Sequence, residues 1–356
     1  MRNCDGLLII IPNRGGRVEK YTARDIAELA GVSPATVSRV LNGTAGVGQE
    51  KRAKILEIAR SLGYAPSGSS YENRRARSSN IVAIFIRDVR NPFYADIIYH
   101  AQEALLENGY IPVAMPFKGT LQELQELAKT DVPSSFGGVL MMPPADPEQA
   151  KEAVRLFSCP MVLLLNRHLN DFDGNVVIQD NFQAGYTAAR HLIELGHRHI
   201  AFLMGPADSP AMIARYDAYR QALKNYNLPY RDDYLIPGDL TMECGRRSAQ
   251  AYLPRLDQLP HALICCNDLM AIGFLDECRK RQVSIPETMS IIGFDDIPFS
   301  AVAGIDLTTM RQKSGEMGRR AAELLHKKIS APSSANECVI YDPQLIVRKT
   351  TGPAGG

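Results

Sequence analysis

Two sets of residues in this chain have types and spacings that could do chemistry. The first lies in residues 22–42. There Ala35, Thr36, Ser38, Arg39 and Asn42 fall on one side of a short helical stretch, and Val37, Val40 and Leu41 fall on the other. Hydroxyls, an amide and a guanidinium on one helix face are hydrogen-bond donors suited to phosphate oxygens and base edges. The second set stands where apolar runs end. It comprises Asn91-Pro92-Phe93-Tyr94, Asn166-Arg167, Arg215 after the Gly205-Pro206 turn, Asn267-Asp268 and Asp295-Asp296. A carboxylate that accepts from hydroxyls, an arginine that donates, and a ring that stacks can together clamp a polyhydroxylated molecule. Enzyme chemistry has no comparable signature. The chain lacks a Gly-x-Gly-x-x-Gly after its first strand, a phosphate-binding Gly-x-x-x-x-Gly-Lys-Ser/Thr, a Gly-x-Ser-x-Gly elbow and a His-Glu-x-x-His. Asp295 and Asp296 are adjacent on a strand end, so their carboxylates diverge and do not form a catalytic pair.

The first set needs a compact helical support. Thr22 is a good N-cap and Asp25 completes a capping-box-like pair. Ile26, Leu29 and Ala30 are expected on the buried face of that first helix. Gly31 supplies a tight turn, Ser33 caps the second helix, and Pro34 takes its first position, where a missing N–H costs nothing. A third helix is expected over 49–62, with Ile55, Leu56, Ala59 and Leu62 inward and Gly63 as its stop. This is the pattern of a helix-turn-helix whose second helix suits a DNA major groove.

The second set needs a larger frame. Residues 65–79 are rich in Ser, Gly and Arg and read as a linker, with Arg74, Arg75 and Arg77 able to order on a phosphate backbone. From residue 80 onward, apolar runs alternate with amphipathic helical stretches. The runs are 81–86, 111–117, 139–142, 161–165, 176–178, 200–204, 262–265 and 290–294; the helices are 94–108, 182–195, 215–225, 243–253, 268–282 and 314–329. Short, wholly apolar runs read as parallel strands buried on both faces, with helices as crossovers. The fold class is therefore α/β: a small all-α helix-turn-helix head and a doubly wound parallel-sheet body split into two subdomains. The expected boundaries are 1–20 unassigned, 21–64 head, 65–79 hinge, 80–350 effector-binding and dimerisation domain, and 351–356 tail.

Composition agrees with such a division. At 356 residues the chain exceeds one ordinary core. Residues 1–77 hold 13 Lys/Arg against 7 Asp/Glu, whereas the whole chain is nearly neutral at +1. A basic head on an acidic body suits a polyanion at one end and a small ligand at the other. Seven scattered cysteines without a Cys-x-x-Cys argue against a disulfide framework or zinc and for a reducing cytoplasm. The histidines have no metal-ligand spacing, and His197 and His199, flanking Arg198, read as surface groups. No apolar stretch reaches the roughly 18 residues of a membrane span, so no membrane association, metal or cofactor is expected.

These segments resemble the LacI/GalR family of bacterial repressors. The resemblance rests on Asp25–Ser33 with Thr36–Asn42, on Leu62-Gly-Tyr-Ala-Pro66, Asn91-Pro-Phe-Tyr94, Leu195-Gly-His-Arg-His-Ile200, Ile291-Ile-Gly-Phe-Asp295 and Leu307-Thr-Thr309, and runs from Thr22 to Arg348. It implies a cytoplasmic homodimer that binds a pseudo-palindromic operator, usually as a repressor and not as an enzyme. A small effector, here a nucleoside or a sugar, would act from the cleft between the subdomains. The resemblance places Pro34, Ala35 and Arg39 at base-reading positions and Ser33, Thr36, Ser38, Asn42 and Tyr64 at backbone-contacting ones, with Thr22 at the edge of the same surface. It places Phe93, Tyr94, Asn166, Arg167, Ala211, Arg215, Leu240, Asn267 and Asp295 at effector-contacting positions. Two departures stand out. Asn73 replaces the hinge leucine that many relatives wedge into the minor groove, which leaves Arg74, Arg75 and Arg77 to bind electrostatically. Leu240 replaces an aromatic that stacks on the ligand, so stacking would fall to Phe93 or Tyr94. The leucine-free hinge lies nearer the nucleoside-responsive branch of the family than its lactose or purine branches. A solute-binding protein of a transporter is the alternative, against which residues 22–42 weigh.

Overall fold

The computed structural model describes residues 22–41, 47–62, 79–142, 146–165 and 172–355. The chain divides into two compact units, 1–78 and 79–356.

In the first unit, α1 (Ala23–Ala30), α2 (Pro34–Leu41) and α3 (Gln49–Ser61) pack around Ile26, Ala27, Ala30, Val37, Val40, Ile55, Ile58 and Ala59. The Asp25 carboxylate reaches back to the Thr22 N–H and hydroxyl, which holds it below the usual carboxylate range. Gly31 ends α1 in the left-handed conformation at φ 68°, where glycine has no Cβ to clash. One expectation fails here: Leu29 is exposed and Ala27 is buried in its place. At 100° per residue, the buried arc centres between Ile26, Ala27 and Ala30 and leaves Leu29 at its rim. Likewise Ile58, not singled out by periodicity, joins Ile55 and Ala59 inside.

The second unit contains two six-stranded sheets. Lobe 1 is ordered β11-β5-β4-β3-β1-β2, all parallel: β1 (Ile81–Ile86), β2 (Ile111–Pro116), β3 (Phe136–Met141), β4 (Met161–Leu165), β5 (Asn175–Gln179) and β11 (Cys338–Tyr341). Lobe 2 is ordered β12-β10-β9-β8-β6-β7, from β6 (Ala201–Leu203), β7 (Leu235–Ile236), β8 (Ala262–Cys265), β9 (Ser290–Asp295), β10 (Thr308–Arg311) and β12 (Gln344–Ile346); only β12 runs antiparallel. Helices α4 (Pro92–Glu107), α5 (Leu121–Ala128), α6 (Pro147–Arg155) and α11 (Ser314–Ser330) cover lobe 1. Helices α7 (Asn181–Glu194), α8 (Pro210–Asn225), α9 (Met242–Tyr252) and α10 (Asp268–Lys280) cover lobe 2. The chain passes between lobes after β5, after β10 and after β11.

Most strands are buried on both faces, as wholly apolar runs predict, but β2 is not. It closes one edge of its sheet and leaves Ile111 and Val113 exposed. Periodicity does not reveal helices α5 and α6 or strands β7, β10, β11 and β12; β7 is only two residues long, and the other three strands are three or four residues long and mix polar with apolar side chains. His197 also departs from the reading as a surface group. It is buried and bonds Ser290 Oγ at 3.0 Å and the Gly352 carbonyl at 3.1 Å, tying the C-terminal segment to β9.

Candidate functional site

The face of α2 that points away from its core is polar. Pro34, Ala35, Ser38 and Arg39 are exposed, Thr36 is half-buried, and Val37 and Val40 anchor the opposite face. Ser33 Oγ lies 3.2 Å from the Thr36 N–H and 2.8 Å from the Thr36 hydroxyl, so the helix start is capped. Thr22 is exposed at the start of α1. Asn42, Tyr64, Asn73, Arg74, Arg75 and Arg77 lie outside the described residues, as do Asn166 and Arg167.

In the second unit, one cavity gathers Arg87, Asn91, Tyr94, Ser209, Ala211, Met212, Arg215, Leu240, Asn267 and Asp295. Lobe 1 contributes the loop after β1 and the start of α4. Asn91 caps α4 by accepting from the Phe93 N–H at 3.0 Å, and Phe93 is buried edge-on to Tyr94 with ring centres 5.2 Å apart. Burial, and then the nearby Asp295 carboxylate, raise the Tyr94 phenol above its ordinary value. Lobe 2 contributes the rest. Arg215 is expected from the sequence to begin a helix; it lies instead within α8, which starts at Pro210. Proline at the first helical position moves the start five residues upstream.

Arg215 is the centre of the site. Its Nε donates to Asn181 Oδ1 at 2.8 Å, its Nη1 to the Cys266 carbonyl, and its Nη2 lies 3.7 Å from Asp295 Oδ1. Its guanidinium stacks over Phe294 at 4.6 Å. Gly185 on α7 permits this approach, since a Cβ there would lie 2.4 Å from the Arg215 carbonyl oxygen. Asn267 caps α10 through the Met270 N–H at 3.0 Å and donates to the Leu240 carbonyl at 2.9 Å. Leu240 itself stands at φ 68° and Asp295 at φ 115°, conformations that side chains rarely adopt and that concentrate at functional sites.

Asp295 and Asp296 diverge, as adjacency predicts. Asp295 turns to Arg215 and accepts from the Gln312 amide. Asp296 is clamped by Arg311 Nε and Arg348 Nη2, both at 2.6 Å. Behind them, Asp268 accepts from the Ile297 N–H at 2.9 Å, the Ser300 hydroxyl at 2.7 Å and the Thr309 hydroxyl at 2.6 Å. Burial pushes Asp268 up to about 8 and Asp295 up to about 7, against these donors and against Arg215. Sequence reasoning misses Asn181, Gln312 and Arg87. Arg87 follows β1 directly, so the strand-end rule could have found it; Gln312 follows β10, whose Thr-Thr-Met-Arg run gives no apolar signal. About 30 Å³ of free space separates the side chains of this cavity. A further cavity, of about 270 Å³, shares Asp295 and is lined also by Phe93, Asp96, Asp296, Arg311 and Arg348.

No described helix is long and apolar enough to cross a membrane, and the described residues contain no group of three or more potential metal ligands.

Comparison with known proteins matches both units. The family model of lacI-family bacterial regulatory proteins fits residues 22–67, and that of the periplasmic binding protein-like domain fits residues 189–351. The HTH-type transcriptional repressor PurR of Histophilus somni strain 2336 is 29% identical over 332 residues, spanning 92% of this chain and 98% of that protein. Among solved structures, the transcriptional regulator CelR in its cellobiose complex superposes with a TM-score of 0.68 at 28% identity, covering 93% of this chain and 99% of its own. A LacI-family transcriptional regulator from Enterococcus faecium with bound ribose gives a TM-score of 0.67 at 25% identity, covering 77% and 100%. With a lacI-type head, a periplasmic-binding-like body and full-length repressor relatives, the chain belongs to the LacI family of DNA-binding transcriptional regulators.

Proposed function

We propose that the chain represses transcription by holding α2 in the major groove of a pseudo-palindromic operator, under control of a nucleoside or sugar in the interlobe cleft. The division of labour follows the segments: 21–64 reads DNA, 65–79 acts as hinge, and 80–350 binds effector and pairs with a second copy. The observation that carries the reading is the exposed Pro34, Ala35, Ser38 and Arg39 surface over a buried Val37–Val40 anchor, in a unit that fits the lacI-family model. Arg39 donates twice to a guanine edge, Pro34 and Ala35 touch a thymine methyl, and Ser33, Thr36 and Ser38 bond phosphates. Thr22, Asn42, Tyr64, Asn73, Arg74, Arg75 and Arg77 add backbone contacts. Such work places the protein with DNA in the cytoplasm.

The effector reading rests on Arg215 and Asp295, a buried donor and acceptor at one wall, with Phe93 and Tyr94 at the other. Asn166, Arg167, Ala211, Leu240 and Asn267 complete the lining. Free space near that of one water does not admit a sugar ring, so binding requires the lobes to part about their crossover strands. CelR and the Enterococcus regulator were solved with cellobiose and ribose, respectively, which supports a small polar ligand in a cleft of this kind. Selecting duplexes from a random pool with the full-length protein tests the reading. One half-site motif repeated with dyad symmetry is expected, and recovery of no motif would overturn it.

A further inference from the structure

Lobe 2 holds another cavity, of about 390 Å³, which shares no residue with the cleft around Arg215 and Asp295. Thr350 marks its place in the fold. The Thr350 hydroxyl donates to the Ile291 carbonyl at 2.7 Å and accepts from the Thr308 N–H at 2.9 Å, so it stands where β9 and β10 begin. Asp295 ends β9, a strand length of about 17 Å away. The walls are aliphatic. Leu275 and Cys278 come from α10, Val283 and Ile285 from the loop after it, and Ile305 from the turn before β10. Leu275 and Cys278 are buried and the other three are half-buried. Burial pushes the Cys278 thiol up to about 12, so it stays an uncharged wall. Three charged groups stand at the rim. Asp306 accepts from the Gly304 N–H at 3.0 Å and from Lys349 Nζ at 3.2 Å, so Asp306 and Lys349 answer each other. Arg279 is left over. It is the first of three consecutive basic residues at the end of α10. Lys280 pairs with Asp276 at 2.9 Å and Arg281 with Glu277 at 2.8 Å, whereas among the described residues the Arg279 guanidinium has no hydrogen-bond or ion-pair partner. It lies over Gly304, with Nη2 3.7 Å from where a Cβ would stand.

An aliphatic hollow with one unanswered cation at its edge specifies an amphipathic monoanion, and its volume is that of a small-molecule site. A sugar would bring hydroxyls into a hollow whose Thr350 hydroxyl and Asp306 carboxylate are already bonded, leaving those hydroxyls unpaired. A cationic amphiphile would meet Arg279 and Lys349. The second charge of a phosphomonoester would face Asp306. A carboxylate takes two parallel N–H groups of one guanidinium, and the described lining, which contains no aromatic ring, suits an alkyl chain. We infer that this cavity is a second ligand site, for a medium-chain aliphatic carboxylate whose chain lies against Leu275, Val283, Ile285 and Ile305 and whose head pairs with Arg279. The site is independent of the effector reading above, because the two cavities have no side chain in common.

Calorimetric titration of the full-length protein with butanoate, hexanoate and octanoate, and with octan-1-ol and octylamine, tests the assignment. Affinity is expected to rise ~4-fold for each CH₂ added to the carboxylate. Octan-1-ol is expected to bind at least ~10-fold more weakly than octanoate, because it lacks the charge that Arg279 answers, and octylamine is expected not to bind. Arg279→Gln alters an exposed side chain. It is expected to bring octanoate down to the level of octan-1-ol while leaving octan-1-ol unmoved, a split that general destabilisation would not give. Val283→Glu sets a carboxylate in the wall and is expected to abolish octanoate binding. Equal affinity for octanoate and octan-1-ol would overturn the inference. So would octanoate binding unmoved by Arg279→Gln, which would make the association adventitious, and so would the absence of octanoate binding at millimolar concentration.

Discussion

Arg215 shows what a single side chain does in this protein: one guanidinium joins Asn181, the Cys266 carbonyl and Asp295 over a phenylalanine face. Asp295→Asn keeps the shape but removes the charge that answers it. The variant is expected to hold operator DNA as the wild type does yet lose its effector response, because a ligand shifts a conformational equilibrium only by its differential affinity for the two states. Retention of the full response would remove Asp295 from the site. On α2, Arg39→Ala is expected to cost about 1–3 kcal/mol on the operator and to relax preference at one base pair; equal weakening on every sequence would assign Arg39 to phosphate instead. Asp268 makes stability pH-dependent. Burial, and then the neighbouring Asp295 carboxylate, push its carboxyl up to about 8 in the fold, from about 3.9 for a free side chain. Over that window the native state holds a proton that the unfolded chain has released. The contribution is thus fully present below about pH 4 and is lost progressively as pH rises to 8, by at most about 1.4 kcal/mol per pH unit. Urea midpoints are expected to fall between pH 6 and 8.5, and less steeply in Asp268→Asn; an unchanged slope would show Asp268 ionised throughout. Much of this site is legible in the sequence, because Asn91, Arg215, Asn267 and Asp295 stand beside apolar runs. Asn181 and Gln312 are not, since their roles arise from where the chain crosses between lobes, which no local pattern encodes.

At the level of elements, periodicity locates the long helices and the strands buried on both faces, with shifts of a few residues where a proline or an asparagine cap moves a helix start. It fails where burial is one-sided. Edge strand β2 reads like a central strand but exposes Ile111 and Val113, and the three- or four-residue β10, β11 and β12 owe their existence to neighbours rather than to propensity. The linker is the element whose chemistry rests on sequence alone. If Arg74, Arg75 and Arg77 bind phosphates, replacing all three with glutamine should flatten the salt dependence of operator binding. The log–log slope is expected to fall by about one unit for each phosphate no longer neutralised. An unchanged slope would make residues 65–79 a tether.

The whole molecule presents apolar surface that a lone copy leaves in water. Tyr99 and Leu106 on α4 and Ile111 and Val113 of the β2 edge are exposed in lobe 1, and Phe299 and Val302 are exposed in lobe 2. Unpaired sheet edges and apolar patches of this kind are covered in stable assemblies. A second copy is the partner that a dyad-symmetric operator requires. The double variant Leu106→Asp, Val113→Asp is expected to sediment as a monomer with its fold intact and to lose most operator affinity; a dimer of undiminished strength would place the interface elsewhere. The account depends above all on a head that reads sequence and a body that makes the reading conditional. The direct measurement is a fluorescence-anisotropy titration of the full-length protein against its selected duplex and a scrambled one, with and without a panel of nucleosides, nucleobases and sugars. We predict a preference of at least ~1,000-fold at physiological salt, changed by one of those compounds. Equal affinity for both duplexes under every condition would contradict it.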